Sequence, residues 1–335
     1  IGGLGYLGLK GVDLEPHGTI PHVLFMAYQG TFAIITAALI SGAIVERMRF
    51  VPYLVFITLW TVVVYAPVCH WVWSAEGWLF KKHALDFAGG TVVHINAGVA
   101  ALVASLILGP RKDFGRQAFL PHSVPLVLLG AGLLWFGWLG FNGGSALGAN
   151  NGAALASVNT VLAPCATALV WMLLDGLRTK RITAVGAATG IVVGLVAITP
   201  AAGLISPRSA LLLGAIAAIP SYFAIIWRGG SRLDDSLDVT PAHGLGGIVG
   251  ALLTGLFAAK AWNSPEDGAL AGNTAQLGTQ VLAIGATLVY SGGATFVLLK
   301  LIGLVMPLRP TKREEGVGLA VCEHGEEGYA HGEGA

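Results

Sequence analysis

DFAGGTVVHINAGVAAL, residues 86–102, is the stretch that decides the fold of this chain. It places an aspartate ahead of an apolar run and a histidine, His94, inside that run. A second stretch, DVTPAHGLGGIVGALL at residues 238–253, repeats the arrangement with His243. When the two histidines are aligned, the glycines four residues later also align. Histidines inside apolar helices at matching places in two halves of a chain are typical of inverted-repeat transporters, whose sites lie near the middle of the membrane.

The composition is that of a membrane protein. Of the 335 residues, 55% are hydrophobic and 11% are charged, and the mean hydropathy is +0.73, whereas soluble domains carry about 25% charged residues. A formal net charge of +1 excludes a general electrostatic attraction to nucleic acid. Cys69, Cys165 and Cys322 stand singly, so the sequence predicts neither a disulfide framework nor a CxxC metal site.

The start of the chain lacks the features of a secretory signal. Residues 1–20 have no basic start and no clean apolar core, and the first methionine is Met26. These features predict either a processed chain or a fragment of a longer one.

Nine stretches are long and apolar enough to cross a membrane, which takes ~20 residues. They lie near residues 22–45, 51–73, 88–109, 123–144, 152–175, 182–201, 209–227, 239–259 and 275–306. The last stretch is long enough to be tilted or bent. The sequence therefore predicts an all-α polytopic membrane protein.

The basic residues of the loops predict the orientation of these spans. Alternate loops and the tail hold most of them, namely Arg47, Arg49, Arg111, Lys112, Arg116, Arg178, Lys180, Arg181, Arg228, Arg232, Arg309, Lys312 and Arg313. Because cytoplasmic loops carry the excess of lysine and arginine, we expect the first residue outside the cell and the tail, 307–335, inside. The tail is charged and rich in glycine, which is typical of a solvated end, and a regulatory contact surface is the alternative.

His94 and His243 are the first candidates for a functional role. A single histidine in a membrane helix often only bonds a neighbouring helix. Two of them at matching positions of a repeat favour a functional pair. Neutral imidazole carries one donor and one acceptor, so two adjacent rings could pass a small polar solute or a proton through an apolar channel.

Asp86 and Asp238 lie near the starts of the two helices that carry these histidines. An aspartate there usually caps free N–H groups and stabilises the positive end of the helix dipole. For Asp238 we prefer a capping or other structural role. For Asp86 we expect a buried carboxylate that adds negative potential below a cation site.

Aromatic residues cluster at the predicted outer ends of the spans. Tyr28 and Phe32 are four residues apart and share a helix face, Trp73 ends the second span, and Phe141 shortly precedes Ser145. The aromatic belt of the membrane interface explains most tryptophans of such a chain. The alternative is a cation–π cup, worth ~0.5–2 kcal/mol per ring, with Ser145 as a hydrogen-bond acceptor.

Charge decides what such a channel can carry. An unpaired cation at the bilayer centre costs several kcal/mol at least. The predicted spans hold no run of carboxylates and no carbonyl filter of the TVGYG type. An apolar channel with neutral histidines therefore favours a cation that can shed its charge. Ammonium can give up a proton, and potassium cannot.

The motifs, in their order, resemble the ammonium transporter (Amt/Mep/Rh) family over essentially the whole chain. They are FMAYQGTFAIIT, GAIVERMRF, HWVWSAEG, ALDFAGGTVVHINAG, GWLGFNGGSALGANN, TPAAGLI, DVTPAHGLGGIVG and HGEEGY. The resemblance implies a transporter domain at 1–306 with the inverted-repeat fold of that family. An incomplete first repeat at about 22–109 and a second at about 123–259 precede a final helix at 275–306. The family usually has eleven spans, and the nine here would lack the first two.

The resemblance also implies a role for each candidate residue. The ammonium-recruitment residues are Trp73, Ser145, Phe32, Tyr28 and Asp86, with Tyr28 standing where the family often has phenylalanine. The two stacked rings that gate the pore are Phe32 and Phe141. The pore histidines are His94 and His243.

The implied substrate is ammonium or ammonia, with methylammonium as a related one, and no cofactor is implied. Family members are homotrimers of the cell membrane, and some bind a PII-type signalling protein on the cytoplasmic face. Where the family often reads GLD, this tail has Gly318, Leu319 and Ala320. This departure weakens the expectation of normal tail regulation and of coupling to PII.

Two other functions fit parts of the sequence. One is a sensor that binds ammonium and signals through its tail with little flux. The other is a metalloenzyme, but there is no HExxH motif, and the aspartate-to-histidine spacings differ, eight residues in one stretch and five in the other. We therefore favour ammonium transport without enzymatic activity.

Overall fold

Helices dominate the computed structural model, which describes residues 2–329. The first residue and the last six of the predicted tail, 330–335, lie outside the described residues. In the part that is described, the only sheet is an antiparallel pair of two-residue strands, β1 (Pro16–His17) and β2 (Ile20–Pro21). The chain is therefore an all-α membrane protein, as its sequence predicts.

Within residues 2–329, nine long helices follow one another. They are α1 (His22–Ile44), α2 (Phe50–Trp73), α3 (Gly90–Leu108), α4 (Val124–Gly144), α5 (Asn151–Thr179), α6 (Ala184–Ile198), α7 (Pro207–Gly229), α8 (Thr240–Phe257) and α9 (Ala275–Val305). A short helix, α10 (Lys312–Val317), lies in the tail.

Each predicted apolar stretch overlaps one of these helices, but α6 is clearly shorter than expected. In the described part of the chain, eight have the length and hydropathy to cross a membrane, and α6 has only 15 residues. We predicted that this stretch continues to residue 201. The helix ends earlier because Pro200, which has no N–H to donate, directly follows its C-cap residue Thr199.

Two helices begin with an unusual turn that contains a histidine. Gly90–Ile95 at the start of α3 and Thr240–Leu245 at the start of α8 are π-helical, and they include His94 and His243. Such widened turns are rare and occur frequently at functional sites. The two halves therefore repeat both the sequence pattern and the local geometry around the histidine.

Glycines bring α3 and α8 together in the centre of the molecule. A Cβ atom on Gly98 would lie 2.2 Å from the Cα of Gly244, and one on Gly247 would lie 3.1 Å from the Cβ of His94. Small residues allow helix backbones to approach this closely. Gly98 and Gly247 each follow a histidine by four residues and so share its helix face. The alignment of glycines in the sequence therefore has a packing reason.

The tail folds back onto the end of the bundle that holds the basic loops. Arg49 pairs with Glu314 of the tail at 2.7 Å, and Arg309 of the tail donates to the Leu108 carbonyl at 2.9 Å. The backbone N–H of Lys112 also donates to Glu315, at 2.6 Å. Loops predicted on the cytoplasmic side thus lie with the tail on one face.

Candidate functional site

An open cavity of about 730 Å³ lies among the ends of α1, α2 and α4 that are remote from the tail. Tyr28 and Phe32 of α1, Trp73 at the end of α2 and Ser145 after α4 contribute to its wall. Four of the five residues predicted for recruitment therefore line one cavity. The fifth, Asp86, is not part of the lining.

Phe32 is the centre of an aromatic cluster at the base of this cavity. Its ring centroid lies 5.1 Å from that of Tyr28, 5.4 Å from that of Trp73 and 4.7 Å from that of Phe141. The Phe32 side chain is only 2% exposed. The two rings predicted as a gate are therefore in contact.

Two hydroxyl groups beside the rings share one carbonyl. The Tyr28 hydroxyl donates to the Phe141 carbonyl at 2.7 Å, and the Ser145 hydroxyl donates to the same oxygen at 2.9 Å. The two hydroxyl oxygens are 3.2 Å apart. Because the proton of Ser145 is directed at the Phe141 carbonyl, its lone pairs are available as acceptors.

The Trp73 indole is held by a backbone group. Its Nε1–H donates to the Asp86 carbonyl at 2.8 Å. This bond links the end of α2 to the loop that precedes α3. The orientation of the ring therefore depends on where residue 86 lies.

The carboxylate of Asp86 caps α3. Its two oxygens accept the backbone N–H groups of Gly89, Gly90, Thr91 and Val92 at 2.6–3.0 Å. Burial raises the pKa of Asp86, and the four backbone hydrogen bonds oppose that rise. Asp86 therefore caps the helix, a role that the sequence left open. Because its carboxylate does not line the cavity, it can influence a cation there only through its electrostatic potential.

The two histidines meet beside the ring of Phe141. Their Nδ1 atoms are 3.3 Å apart, and both side chains are buried. The His94 ring also stacks near Trp138, with centroids 5.6 Å apart, and near Phe141, at 6.0 Å. In a contact between two Nδ1 atoms, one ring donates and the other accepts, so the two Nε2 atoms have opposite roles.

The counterpart of Asp86 in the second half is Asp235, not Asp238. Asp235 is fully buried, and its oxygens accept the N–H groups of Val239 and Thr240 at 3.0 and 2.6 Å. It precedes His243 by eight residues, the spacing that separates Asp86 from His94. The unequal aspartate-to-histidine spacing inferred from the sequence was therefore wrong. The capping aspartate precedes the histidine by eight residues in both halves. Sequence reasoning missed Asp235 because it lies in a polar loop beside a second aspartate.

The Asp238 side chain, for which we predicted a structural role, does not cap a helix. Its carboxylate pairs with Arg228 at the end of α7, and its backbone has a positive φ of 56°. Burial raises the pKa of Asp238 to about 6, although Arg228 acts in the opposite direction. The pair closes the loop between α7 and α8.

A second cavity approaches His243 from the other side. It measures about 360 Å³ and is lined by His243, Asp238 and Ala242 together with apolar residues of α4 and α6. The sequence offered no signal for it, because its walls come from helices that are distant along the chain. The histidine pair thus lies between the two cavities, which we call outer and inner after the predicted orientation of the spans.

The described residues offer no metal centre. In residues 2–329, no group of three or more histidine, cysteine, aspartate or glutamate side chains is placed to hold a metal ion. The metalloenzyme alternative has no site in this part of the chain.

Comparisons with known proteins find similarity to ammonium transporters. The family model described as Ammonium Transporter Family matches residues 3–329. An ammonium transporter of Bacillus subtilis (strain 168) is 46% identical over 334 residues, which cover 98% of this chain and 82% of the relative.

Solved structures are similar over most of their length as well. The crystal structure of Candida albicans Mep2 superposes with a TM-score of 0.87 at 39% identity, covering 93% of this chain and 72% of the other. A structure described as a Sensor Amt Protein superposes with a TM-score of 0.86 at 33% identity, covering 94% and 80%.

Proposed function

This chain belongs to the ammonium transporter family, and on that premise we propose that it carries ammonium across the cell membrane. Ammonium is captured as a cation in the outer cavity, loses a proton, and passes as ammonia between Phe32 and Phe141 and along His94 and His243. The observation that carries this proposal is the contact of the two histidines, Nδ1 to Nδ1 at 3.3 Å, beneath an aromatic cavity.

Capture needs an attraction for a small cation that carries N–H donors. The Trp73 and Phe32 rings adjoin the cavity, and an aromatic face attracts a cation by ~0.5–2 kcal/mol depending on desolvation. Ser145 supplies a hydroxyl oxygen as an acceptor for one N–H group. The combination favours ammonium over an alkali cation, because an alkali cation has no hydrogen to donate.

Passage favours the neutral molecule. The Phe32 and Phe141 rings are in contact, so a hydrated ion does not fit between them. A cation in the membrane interior costs several kcal/mol at least. Asp86 and Asp235 lie at the starts of the histidine helices, but their carboxylate oxygens accept hydrogen bonds from backbone N–H groups. They are therefore not free to pair with a cation in the pore. Ammonium avoids this cost by leaving its proton on the outer side.

The histidine pair suits a small base that can both donate and accept. One ring of the pair offers an N–H group, and the other offers a lone pair. Nε2 of His94 is buried and has no hydrogen-bond partner among the described residues. A buried polar atom without a partner calls for an explanation, and ammonia in the pore supplies one.

The test is transport by the purified protein in lipid vesicles. Labelled methylammonium uptake measures flux, and the current after an ammonium pulse measures net charge transfer along the same histidines. We expect His94→Ala combined with His243→Ala to abolish selective transport of ammonium.

His83→Ala is the matched control, because His83 is an exposed imidazole that pairs with Glu266 at the surface. If the double variant transports ammonium with unchanged rate and selectivity, the pore assignment is wrong. If the wild-type protein moves no ammonium, the transport proposal itself fails.

A sensor is the second candidate function. Its support is the similarity to the Sensor Amt Protein and the tail that packs against the basic loops. Ammonium-dependent binding of a partner to the tail without measurable flux would favour the sensor over the transporter.

We also propose an orientation in the membrane, an oligomeric state and a partner for the chain. The basic loops and the tail share one face, which supports a cytoplasmic location for that face and an outer location for the aromatic cavity. By the same family premise, the protein forms a homotrimer and offers its cytoplasmic face to a PII-type signalling protein. Mass measurement in detergent tests the trimer, and a binding assay with a purified PII protein tests the partner.

A further inference from the structure

A glutamine of the last long helix holds the loop beneath the outer cavity. Gln280 lies on α9 and is 1% exposed. Its Oε1 accepts the N–H of Leu85 at 2.8 Å, and its Nε2 donates to the Leu85 carbonyl at 2.8 Å and to the Ala251 carbonyl at 3.1 Å. One amide thus satisfies both backbone groups of Leu85 and one carbonyl of the helix that carries His243.

A second glutamine extends this contact by one helical turn. Nε2 of Gln276, which is 3% exposed, donates to the His83 carbonyl at 2.9 Å. The loop between α2 and α3 has no regular hydrogen-bond ladder at these residues, so its buried backbone groups need other partners. The two glutamines supply them.

The position of Leu85 determines the position of Trp73. Leu85 directly precedes Asp86, whose carbonyl accepts the indole N–H of Trp73 and whose carboxylate caps α3. On the other side, the N–H of Phe87 donates to the Pro200 carbonyl at 3.1 Å. A displacement of Leu85 therefore moves the Trp73 ring and the first turn of the His94 helix together.

We propose that Gln280 is a positioning residue for ammonium capture. By holding both backbone groups of Leu85, it fixes the indole of Trp73 at the wall of the outer cavity and ties that wall to α8. The inference rests on the proposed function, because Trp73 is a capture residue only if ammonium binds in that cavity.

The chemistry of the amide distinguishes this role from simple space filling. A buried amide is tolerated only when its polar atoms are bonded. Every N–H of the Gln280 side chain is used, one on the loop and one on α8. An apolar residue of similar volume fills the same space but leaves both backbone groups of Leu85 without a partner.

The experiment compares Gln280→Leu and Gln280→Glu with wild type in vesicles, over a series of ammonium concentrations. We expect the half-saturating concentration to rise roughly tenfold in Gln280→Leu at neutral pH, and in Gln280→Glu at a pH alkaline enough to ionise the buried carboxyl, the size of effect that losing a buried hydrogen bond produces. The maximal rate should change much less. In Gln280→Glu, lowering the pH should restore affinity relative to wild type, because a protonated carboxyl can again donate to Leu85.

A double-mutant cycle with Trp73→Phe measures the coupling between the two residues, which a general packing defect would not produce. Since both changes act through the indole N–H bond, their effects on half-saturation should be clearly less than additive. The control is Thr287→Val, a buried site on the same helix whose hydroxyl has no partner among the described residues. We expect it to leave half-saturation unchanged.

The outcomes separate this inference from the proposed function. Unchanged half-saturation in Gln280→Leu, or in Gln280→Glu at a pH that ionises the carboxyl, overturns the positioning role while wild-type transport stands. Strict additivity with Trp73→Phe also overturns it. If Gln280→Leu does not fold, the pH series of Gln280→Glu decides: affinity that fails to recover at low pH contradicts the proposal. Absence of transport by the wild type overturns the proposed function instead.

Discussion

Trp73 combines two contacts in one side chain. Its ring adjoins the outer cavity, and its Nε1–H donates to the Asp86 carbonyl at 2.8 Å. Trp73→Phe keeps an aromatic face and loses the hydrogen bond, whereas Trp73→Leu loses both. A cation–π contact of ~0.5–2 kcal/mol corresponds to a change in affinity of about 2- to 30-fold. We expect half-saturation by ammonium to rise by that factor in Trp73→Leu and by less in Trp73→Phe, as measured from initial uptake rates.

The control for this prediction is another tryptophan. Trp227, on α7, is 69% exposed and lies away from the cavity. Trp227→Leu should leave half-saturation unchanged. Equal values for Trp73→Leu and Trp227→Leu would show that the indole at the cavity does not bind the cation.

Asp238 makes stability depend on pH. Its pKa is raised by burial from the ordinary 3.8 to about 6, with Arg228 opposing the rise. The folded protein therefore binds this proton more tightly than the unfolded chain, and the stabilisation is fully present below about pH 4. It is lost as the pH rises through about 6. Asp238→Asn removes the titration, so its melting temperature relative to wild type should rise between pH 4 and 6 and then level off.

Thermal unfolding in detergent at a series of pH values measures this difference. Both proteins share every other titratable group, so their difference isolates residue 238. A constant difference across the series would mean that Asp238 does not titrate in this range.

At the scale of elements, the crossing of α3 and α8 brings the histidines together. In Gly98→Ala, the new Cβ would lie 2.2 Å from the Cα of Gly244 and 2.4 Å from its N atom. The helices must separate, because backbone atoms cannot rotate away. Overpacking of this kind costs typically 1–3 kcal/mol. We expect a lower melting temperature and loss of transport as His94 and His243 move apart.

Gly137→Ala is the matched control for this substitution. Gly137 lies within α4, and a Cβ there would meet nothing within 4 Å. Alanine favours helix over glycine by roughly 0.5–1 kcal/mol, so this variant should be as stable as wild type or more so. Normal transport by Gly98→Ala would contradict the proposed dependence of the pore on this crossing.

The helices could be read from the sequence because hydropathy is a local property. The end of α6 was misjudged, since a single proline at position 200 counted for less than the apolar residues around it. Asp235 was missed for a related reason: its carboxylate belongs to a helix start that only the backbone reveals. Capping depends on φ and ψ, and residue type alone does not specify them.

The candidate site also has residues that the sequence predicted and others that it did not. Tyr28, Phe32, Trp73, Phe141 and Ser145 were identified from motifs, and the structure brings them together. The Gln280 amide and the inner cavity were not foreseen, because their contacts join residues far apart in the chain. Pairing across nearly 200 positions leaves no periodic signal in a single sequence.

At the scale of the whole molecule, a buried ion cluster joins the two predicted repeats on the face that holds the tail. Arg47, between α1 and α2, is fully buried. It pairs with Asp234 of the second repeat at 3.4 Å and donates to Ser236 at 2.9 Å. Arg111, from the segment that connects the repeats, also pairs with Asp234, at 3.0 Å. The cluster therefore ties both repeats and their connection at one point.

Arg47→Met tests how much this tie contributes to stability. Removing one member of a buried ion pair costs about 3–5 kcal/mol, because the remaining groups lose their partner in a medium that solvates them poorly. Asp234 keeps Arg111, so we expect the lower end of that range, about 3 kcal/mol. The melting temperature in detergent should fall by several degrees. Lys81→Met is the control, because its pair with Glu76 is exposed and such pairs contribute about 0–1 kcal/mol.

The double variant Arg47→Met with Asp234→Asn distinguishes two possibilities. Either the Arg47–Asp234 pair holds the repeats together, or it is merely buried between them. Asp234→Asn alone leaves two arginines facing a neutral amide, and Arg47→Met alone leaves a carboxylate with one partner. If the two charges depend on each other, removing both costs less than the sum of the single changes. We expect that result, because the guanidinium and the carboxylate solvate one another where water cannot. Additive losses would mean that each group is held by its own backbone contacts and that the ion pair does not join the two repeats.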